Sequence, residues 1–219
     1  MTIRPAAFRQ VNRAVRYTNM NTDQNRNVEQ AIDDLCENLV WSWAYFTTLQ
    51  GLHEVAKSSP TSVDPYPQFI SCLYHGLFDC LFIRIYNFIN PSKGTCGFPH
   101  LFKSLRRYCP DDSQLMAQTR ADEARFKNEA SIEKIKNWRN EISAHLTEKY
   151  HHSGFFLSNR LHLAELESLL RLIEEMIEGY SARIIGRFND TRNPSTEIIK
   201  EIQALFLRRT EQGGAAKQP

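Results

Sequence analysis

Apolar residues recur along most of the chain at steps of three and four, the spacing that lines one face of an α-helix. Between Val28 and Lys57 the stripe is Ile32, Leu35, Leu39, Trp43, Phe46, Leu49 and Val55, which predicts a long first helix with one buried face. The polar run ahead of it, Tyr17 to Asn27, reads as a capped loop that closes an N-terminal segment, residues 1–26. Ser58 to Pro67 breaks the pattern, because proline and the residue before it resist helical dihedrals. Residues 67–90 are apolar on nearly every side, as expected of a central helix packed between neighbours.

Pro91 to Pro99 is a second break, and HLFKSLRRY (100–108) predicts a short helix before Pro110. Ser113 to Thr147 is charged and sparsely apolar, which predicts helix interrupted near Asn128 to Ser131; the second part carries Ile132, Ile135, Trp138 and Ile142. His151 to Phe156 reads as a loop. Residues 160–187 then show Leu163, Leu166, Leu169, Leu170, Ile173, Ile177, Tyr180 and Ile184 on one face. Pro194, Ser195 and Thr196 before Glu197 open a last helix. No segment alternates with a period of two, and no internal repeat is visible. The pattern predicts an all-α fold, an up-and-down bundle of four to five main helices over residues 27–210, with a disordered tail at 211–219.

Composition adds boundaries. Hydrophobic residues make up 42% and charged residues 24% of the 219, an ordinary globular balance that excludes wholesale disorder. The N-terminus lacks an apolar signal region and no apolar run reaches bilayer-spanning length, so the expectation is a soluble, cytoplasmic protein with no membrane partner. Five cysteines, an odd number without C-x-x-C spacing, argue against a disulfide scaffold or a metal site, and no cofactor is expected. Cys36, Cys72 and Cys80 lie in apolar helical patterns, where free cysteine behaves as a small hydrophobe. The net charge of +2 advertises no global attraction to nucleic acid. Basic residues nevertheless cluster, as Arg4, Arg9, Arg13 and Arg16 near the start and Arg183, Arg187, Arg192, Arg208 and Arg209 near the end. Each cluster is either a phosphate-facing patch or a solvated helix face.

Candidate chemistry centres on histidine, since the chain has no Gly-rich phosphate loop, no H-E-x-x-H and no G-x-S-x-G. His53 and His75 fall inside amphipathic helices, where a satisfied structural role is expected. His100 begins the short helix as a cap or a solvated residue, and His151 and His152 sit in a loop. His145 differs, because it follows Arg139 by six positions in the stretch WRNEISAH (Trp138 to His145). On an ideal helix those six residues turn through about 600°, leaving the two side chains about 120° apart. They converge only if the helix ends or bends between them, or if a second chain completes the site. Cleaving RNA without a metal requires taking the 2′-hydroxyl proton, stabilising the crowded phosphorus centre and protonating the 5′-oxygen. A histidine suits both proton transfers. An arginine gives phosphate oxygens a permanent forked donor, and Asn140 adds a further one. The bland alternative pairs Arg139 with a carboxylate and leaves His145 bonded to a carbonyl at the helix end.

R-N-x-x-x-x-H, here Arg139-Asn140 to His145, resembles the signature of the HEPN superfamily, in which a polar residue often follows the arginine. The wider layout is similar to abortive-infection U-type (AbiU-like) HEPN proteins. It has a long first helix with aromatics at Trp41 to Phe46 and then an apolar second helix. A short segment follows with Lys103-Ser104-Leu105, and then a helix with tryptophan and arginine ending in Ala144-His145. The resemblance covers roughly residues 28–187. It implies a metal-independent endoribonuclease that forms a homodimer to bring two motifs into one cleft. Such a protein would be a toxin or antiviral-defence effector acting with an antitoxin or defence-system partner. By that resemblance Arg139 stabilises the scissile phosphate of an RNA substrate, His145 is the acid and base, and Asn140 orients the histidine or the phosphate. Arg183, Arg187 and Arg192 are then expected to bind RNA near the cleft. A second HEPN reading is a catalytically inactive module that binds RNA or protein. Leu146 and Thr147 follow His145, so the His-x-Tyr continuation of the toxin–antitoxin subgroup is missing and the regulator stays open.

Overall fold

The computed structural model describes residues 22–58, 67–90, 96–140, 161–186 and 197–204. Their regular structure is helical throughout: α1 (Thr22–Ser58), α2 (Pro67–Ile89), α3 (Phe98–Tyr108), α4 (Ser113–Lys127), α5 (Ala130–Trp138) and α6 (Leu163–Tyr180). A π-helical turn, Ser181–Ile185, continues α6, and residues 197–204 form α7. Four helices close a ring, with α1 and α5 each packed against both α2 and α6. α3 lies across α1 and touches α2 and α4.

The stripe read along α1 is the spine of the core. Ile32, Leu35, Leu39, Trp43, Phe46, Leu49 and Val55 are all buried. Asn38, midway along this spine, donates its Nδ2 to the Arg84 carbonyl at 2.9 Å, whereas Leu52 and Val55 cluster with Leu73 and Leu77. Early α1 thus meets late α2, and the two helices run antiparallel. α7 covers the far end: Ile202 joins Leu52 and Val55. At Gly51 an added Cβ would stand 2.9 Å from Ile202 Cδ1, so the missing side chain is what admits that helix.

α3 is fixed by aromatic packing. Phe98 is fully buried, with its ring centroid 6.0 Å from Phe88, 5.6 Å from Phe102 and 4.8 Å from Phe126. It therefore joins α2, α3 and α4 at one point. The expected interruption near Asn128 is present. α4 ends at Lys127, and the Glu129 carboxylate opens α5 by accepting from the Ser131 Oγ at 2.8 Å and from its backbone N–H at 3.3 Å. The π turn after α6 stops at Gly186, whose φ of 66° is the left-handed conformation glycine adopts freely.

Five expectations need correction. α1 begins at Thr22, inside the polar run read as a loop; that run holds neither proline nor glycine, so nothing in its backbone opposes helix. α2 is not enclosed on all sides, because its neighbours cover only part of its circumference. Leu81, Phe82, Ile85 and Phe88 enter the core, while Phe69 is 62% exposed and Ile83 52% exposed. By length and composition α2 is apolar enough to cross a bilayer, contrary to the expectation that no such run exists, yet its second half is inserted into the helical core. Cys36 is buried as anticipated, but Cys72 and Cys80 lie on the open face of α2. His53 and His75 are likewise exposed instead of packed.

Phe98→Ala should lower the unfolding free energy by about 3–5 kcal/mol, the usual cost of truncating a buried phenylalanine. Urea unfolding of the variant beside the wild type measures it.

Candidate functional site

Trp138, the last residue of α5, is clamped against α2. Its ring centroid stands 5.8 Å from Phe78, nearly perpendicular, and 5.7 Å from Phe82. Because Phe82 is buried in the core, this contact fixes the end of α5 laterally and rotationally. Arg139 follows with helical dihedrals (φ −60°, ψ −44°), and the α-helix gives way to π geometry across Arg139 and Asn140. Departures of this kind re-aim side chains and recur at functional sites. A helix end or bend after Arg139 is one of two ways in which the sequence lets Arg139 and His145 converge, a second chain being the other, and the winding changes at Arg139.

The Arg139 guanidinium lies 5.1 Å over the ring of Tyr86, one turn beyond Phe82 on α2. Stacking occupies the face of the guanidinium and leaves its in-plane N–H donors available. One of them, Nη1, reaches the Asn140 Oδ1 at 3.5 Å. Arg139 is half-buried and pairs with no carboxylate among the described residues, whereas Arg106, Arg125, Arg171 and Arg183 are each neutralised by one. Asn140 is exposed. The alternative ion pair of Arg139 with another helix's carboxylate is not realised among these residues, and Glu141, its other candidate partner, lies outside them. His145 lies outside the described residues.

A salt bridge fastens the two helices flanking residues 141–160. Lys134 Nζ on α5 meets Glu165 Oε1 on α6 at 2.6 Å, and the other Glu165 oxygen accepts from the His162 backbone N–H at 2.8 Å. The lysine hydrogen bond, and next the backbone one, hold the Glu165 carboxyl below its ordinary range.

Arg183 stands apart from this arrangement. Its Nη2 donates to both Asp112 oxygens, at 3.0 and 3.3 Å, and to Gln114 Oε1 at 3.2 Å. Asp112 also caps α4 by accepting from the Leu115 N–H at 2.8 Å. The charge expected to meet RNA is thus ion-paired here, bridging the π turn and the start of α4. Arg187 and Arg192 lie outside the described residues. Tyr180, buried nearby, donates its hydroxyl to Asp122 at 2.8 Å. Burial first, then that carboxylate, raise its pKa above the usual tyrosine range, which makes it a fixed donor inside the packing.

The site residue that sequence reasoning missed is Tyr86. It sits in FIRIYNFIN among apolar neighbours, and only its spacing from Phe78 and Phe82, at successive turns of α2, marks it as part of the same stripe. A family model described as AbiU2, of HEPN type, matches residues 26–202. No curated protein and no solved structure matches the chain significantly.

The Glu165 carboxyl, held below its ordinary value of 4.5, contributes stability that is present above that pH and is lost as pH falls through and below it. Glu165→Gln removes this contribution. The difference in thermal midpoint between wild type and variant should therefore shrink as pH is lowered from neutrality toward 3, a range set roughly by carboxylate titration.

Proposed function

Because the chain belongs to the AbiU2 family of HEPN-type proteins, we propose that it is an endoribonuclease of an abortive-infection type of defence, acting on RNA in the cytoplasm through Arg139, Asn140 and His145. The observation that carries the reading is the state of Arg139. It is half-buried, set over the ring of Tyr86, and pairs with no carboxylate among the described residues. A guanidinium retained in that condition is preorganised for an anion.

In the reaction we propose, His145 takes the proton from a ribose 2′-hydroxyl, and the 2′-oxygen attacks the adjacent phosphorus. The P–O5′ bond breaks as the new P–O2′ bond forms, and a proton is delivered to the departing 5′-oxygen. The products are a 2′,3′-cyclic phosphate and a 5′-hydroxyl, with no change of oxidation state. Arg139 supplies parallel N–H donors to the non-bridging oxygens as negative charge gathers there. Asn140, bonded to Arg139, orients it or a phosphate oxygen. Tyr86 and Trp138 are positioning residues: one is the platform for the guanidinium, and the other locks the helix end. A homodimer that sets two motifs across one cleft would complete the site, and Arg187 and Arg192 would carry the flanking phosphates. An antitoxin or defence-system partner would govern when it acts.

The test is total RNA incubated with purified protein in the presence of a metal chelator. Wild type should cleave. His145→Ala should lose about 10²–10⁴-fold, the share of a general acid–base group. Arg139→Ala should lose about 10²–10³-fold, that of a charge-stabilising donor. Arg139→Lys recovers part of that loss, because lysine keeps the charge and lacks the fork. Equal cleavage by wild type and His145→Ala would remove the motif from the chemistry. RNA bound and left intact by every form would favour the non-catalytic binding module.

A further inference from the structure

A second group of basic residues has no member among the contacts of Arg139. α1 and α3 enclose an open cavity of about 420 Å³, within the range of small-ligand sites. The α3 wall presents His100, Lys103 and Arg107, spaced three and four apart on one helix face. The α1 wall opposite presents Asn27, Gln30 and Asp34, again three and four apart. The neighbouring arginine on α3, Arg106, is neutralised by Glu123 at 2.7 Å. Among the described residues neither Lys103 nor Arg107 has such a carboxylate, although Asp34 stands across the gap. That carboxylate is turned to its own helix, accepting from Gln30 Nε2 at 2.7 Å. Tyr108 completes the lining, with the Arg107 guanidinium 5.4 Å over its ring.

From this opposition of a cationic wall and an amide–carboxylate wall, we propose that the cavity binds a phosphomonoester carried on a nucleoside, either as a free mononucleotide or as the phosphorylated end of an RNA. Lys103 and Arg107 take the phosphate through charged N–H donors, and the His100 ring adds a further N–H. Asp34 accepts from ribose hydroxyls, and Asn27 and Gln30 supply amide groups that pair with base edges. Tyr108 offers an aromatic surface at the rim. Cys96, also in the lining, stays a neutral thiol: burial first, and then the Asp34 charge, push it up to about 12, so it neither repels the phosphate nor acts as a nucleophile. The cavity and the Arg139 site share no residue, so this proposal stands or falls independently of RNA cleavage.

Binding is measured by calorimetry on the full chain with four probes: AMP, adenosine, and a 2′-O-methylated pentanucleotide with and without a 5′-phosphate. The methylated sugar lacks the hydroxyl needed for cleavage, so nuclease activity does not enter the measurement. A phosphorylated probe should bind about tenfold or more tightly than its unphosphorylated counterpart, the scale of hydrogen bonds to a charged group. AMP binding identifies a free nucleotide as ligand, and preference for the 5′-phosphorylated oligonucleotide identifies an RNA end. Lys103→Gln/Arg107→Gln, two exposed positions, should remove that preference. Lys127→Gln/Arg171→Gln, an equal loss of charge elsewhere on the surface, should leave it within about twofold. The proposal is overturned if no probe binds at millimolar concentration, if phosphate makes no difference, or if the two double variants weaken binding equally.

Discussion

Where the motif arginine stands depends on how α5 meets α2. Trp138 packs against both Phe78 and Phe82, and the latter belongs to the buried core, so the end of a nine-residue helix inherits the rigidity of the whole bundle. A helix that short has little stability of its own in water. Held by this contact, it delivers Arg139 onto Tyr86, one turn further along the same side of α2. α2 is in turn aligned by its antiparallel packing on α1, with the Asn38–Arg84 hydrogen bond across the interface, and Phe98 seats α3 and α4 against its far end. The site is thus a consequence of core packing at one remove.

The bundle was largely legible in the sequence because its signal is periodic. The α1 stripe, the break ahead of α5 and the amphipathic face of α6 all follow from three- and four-residue spacing, which depends on local geometry alone. The errors have a common origin in what periodicity omits. An all-round apolar segment such as α2 has no preferred face, so its pattern cannot say which side stays open; Phe69, Cys72, Cys80 and Ile83 proved to be on that side. The start of α1 at Thr22 lay hidden because a polar helical turn and a polar loop look alike without a proline or glycine to separate them.

The candidate site was half legible. R-N-x-x-x-x-H marked Arg139 and Asn140 directly, and the angular mismatch between Arg139 and His145 left a helix end, a bend or a second chain to reconcile them; the winding changes at Arg139. Tyr86 could not be found that way, because a stacking partner from another helix leaves no mark on the motif's own spacing. Arg183 shows the converse limit. Its place in a basic cluster suggested RNA, but charge counted along a sequence takes no account of carboxylates brought up by the fold, and Asp112 is bonded to it. The same accounting in three dimensions separates Arg139, Lys103 and Arg107, which pair with no carboxylate among the described residues, from the arginines that are ion-paired within the fold.

The central claim is that Arg139 and His145 promote attack by the substrate's own 2′-oxygen. The most direct measurement is mass spectrometry of the termini left when the wild-type protein cuts a defined RNA in chelator. The account predicts 2′,3′-cyclic phosphate on one fragment and 5′-hydroxyl on the other, with no cutting at a position where a single 2′-deoxy sugar precedes the scissile bond. A 5′-phosphate with a 3′-hydroxyl, or undiminished cutting at the deoxy position, would contradict it, since water and not the 2′-oxygen would then be the nucleophile.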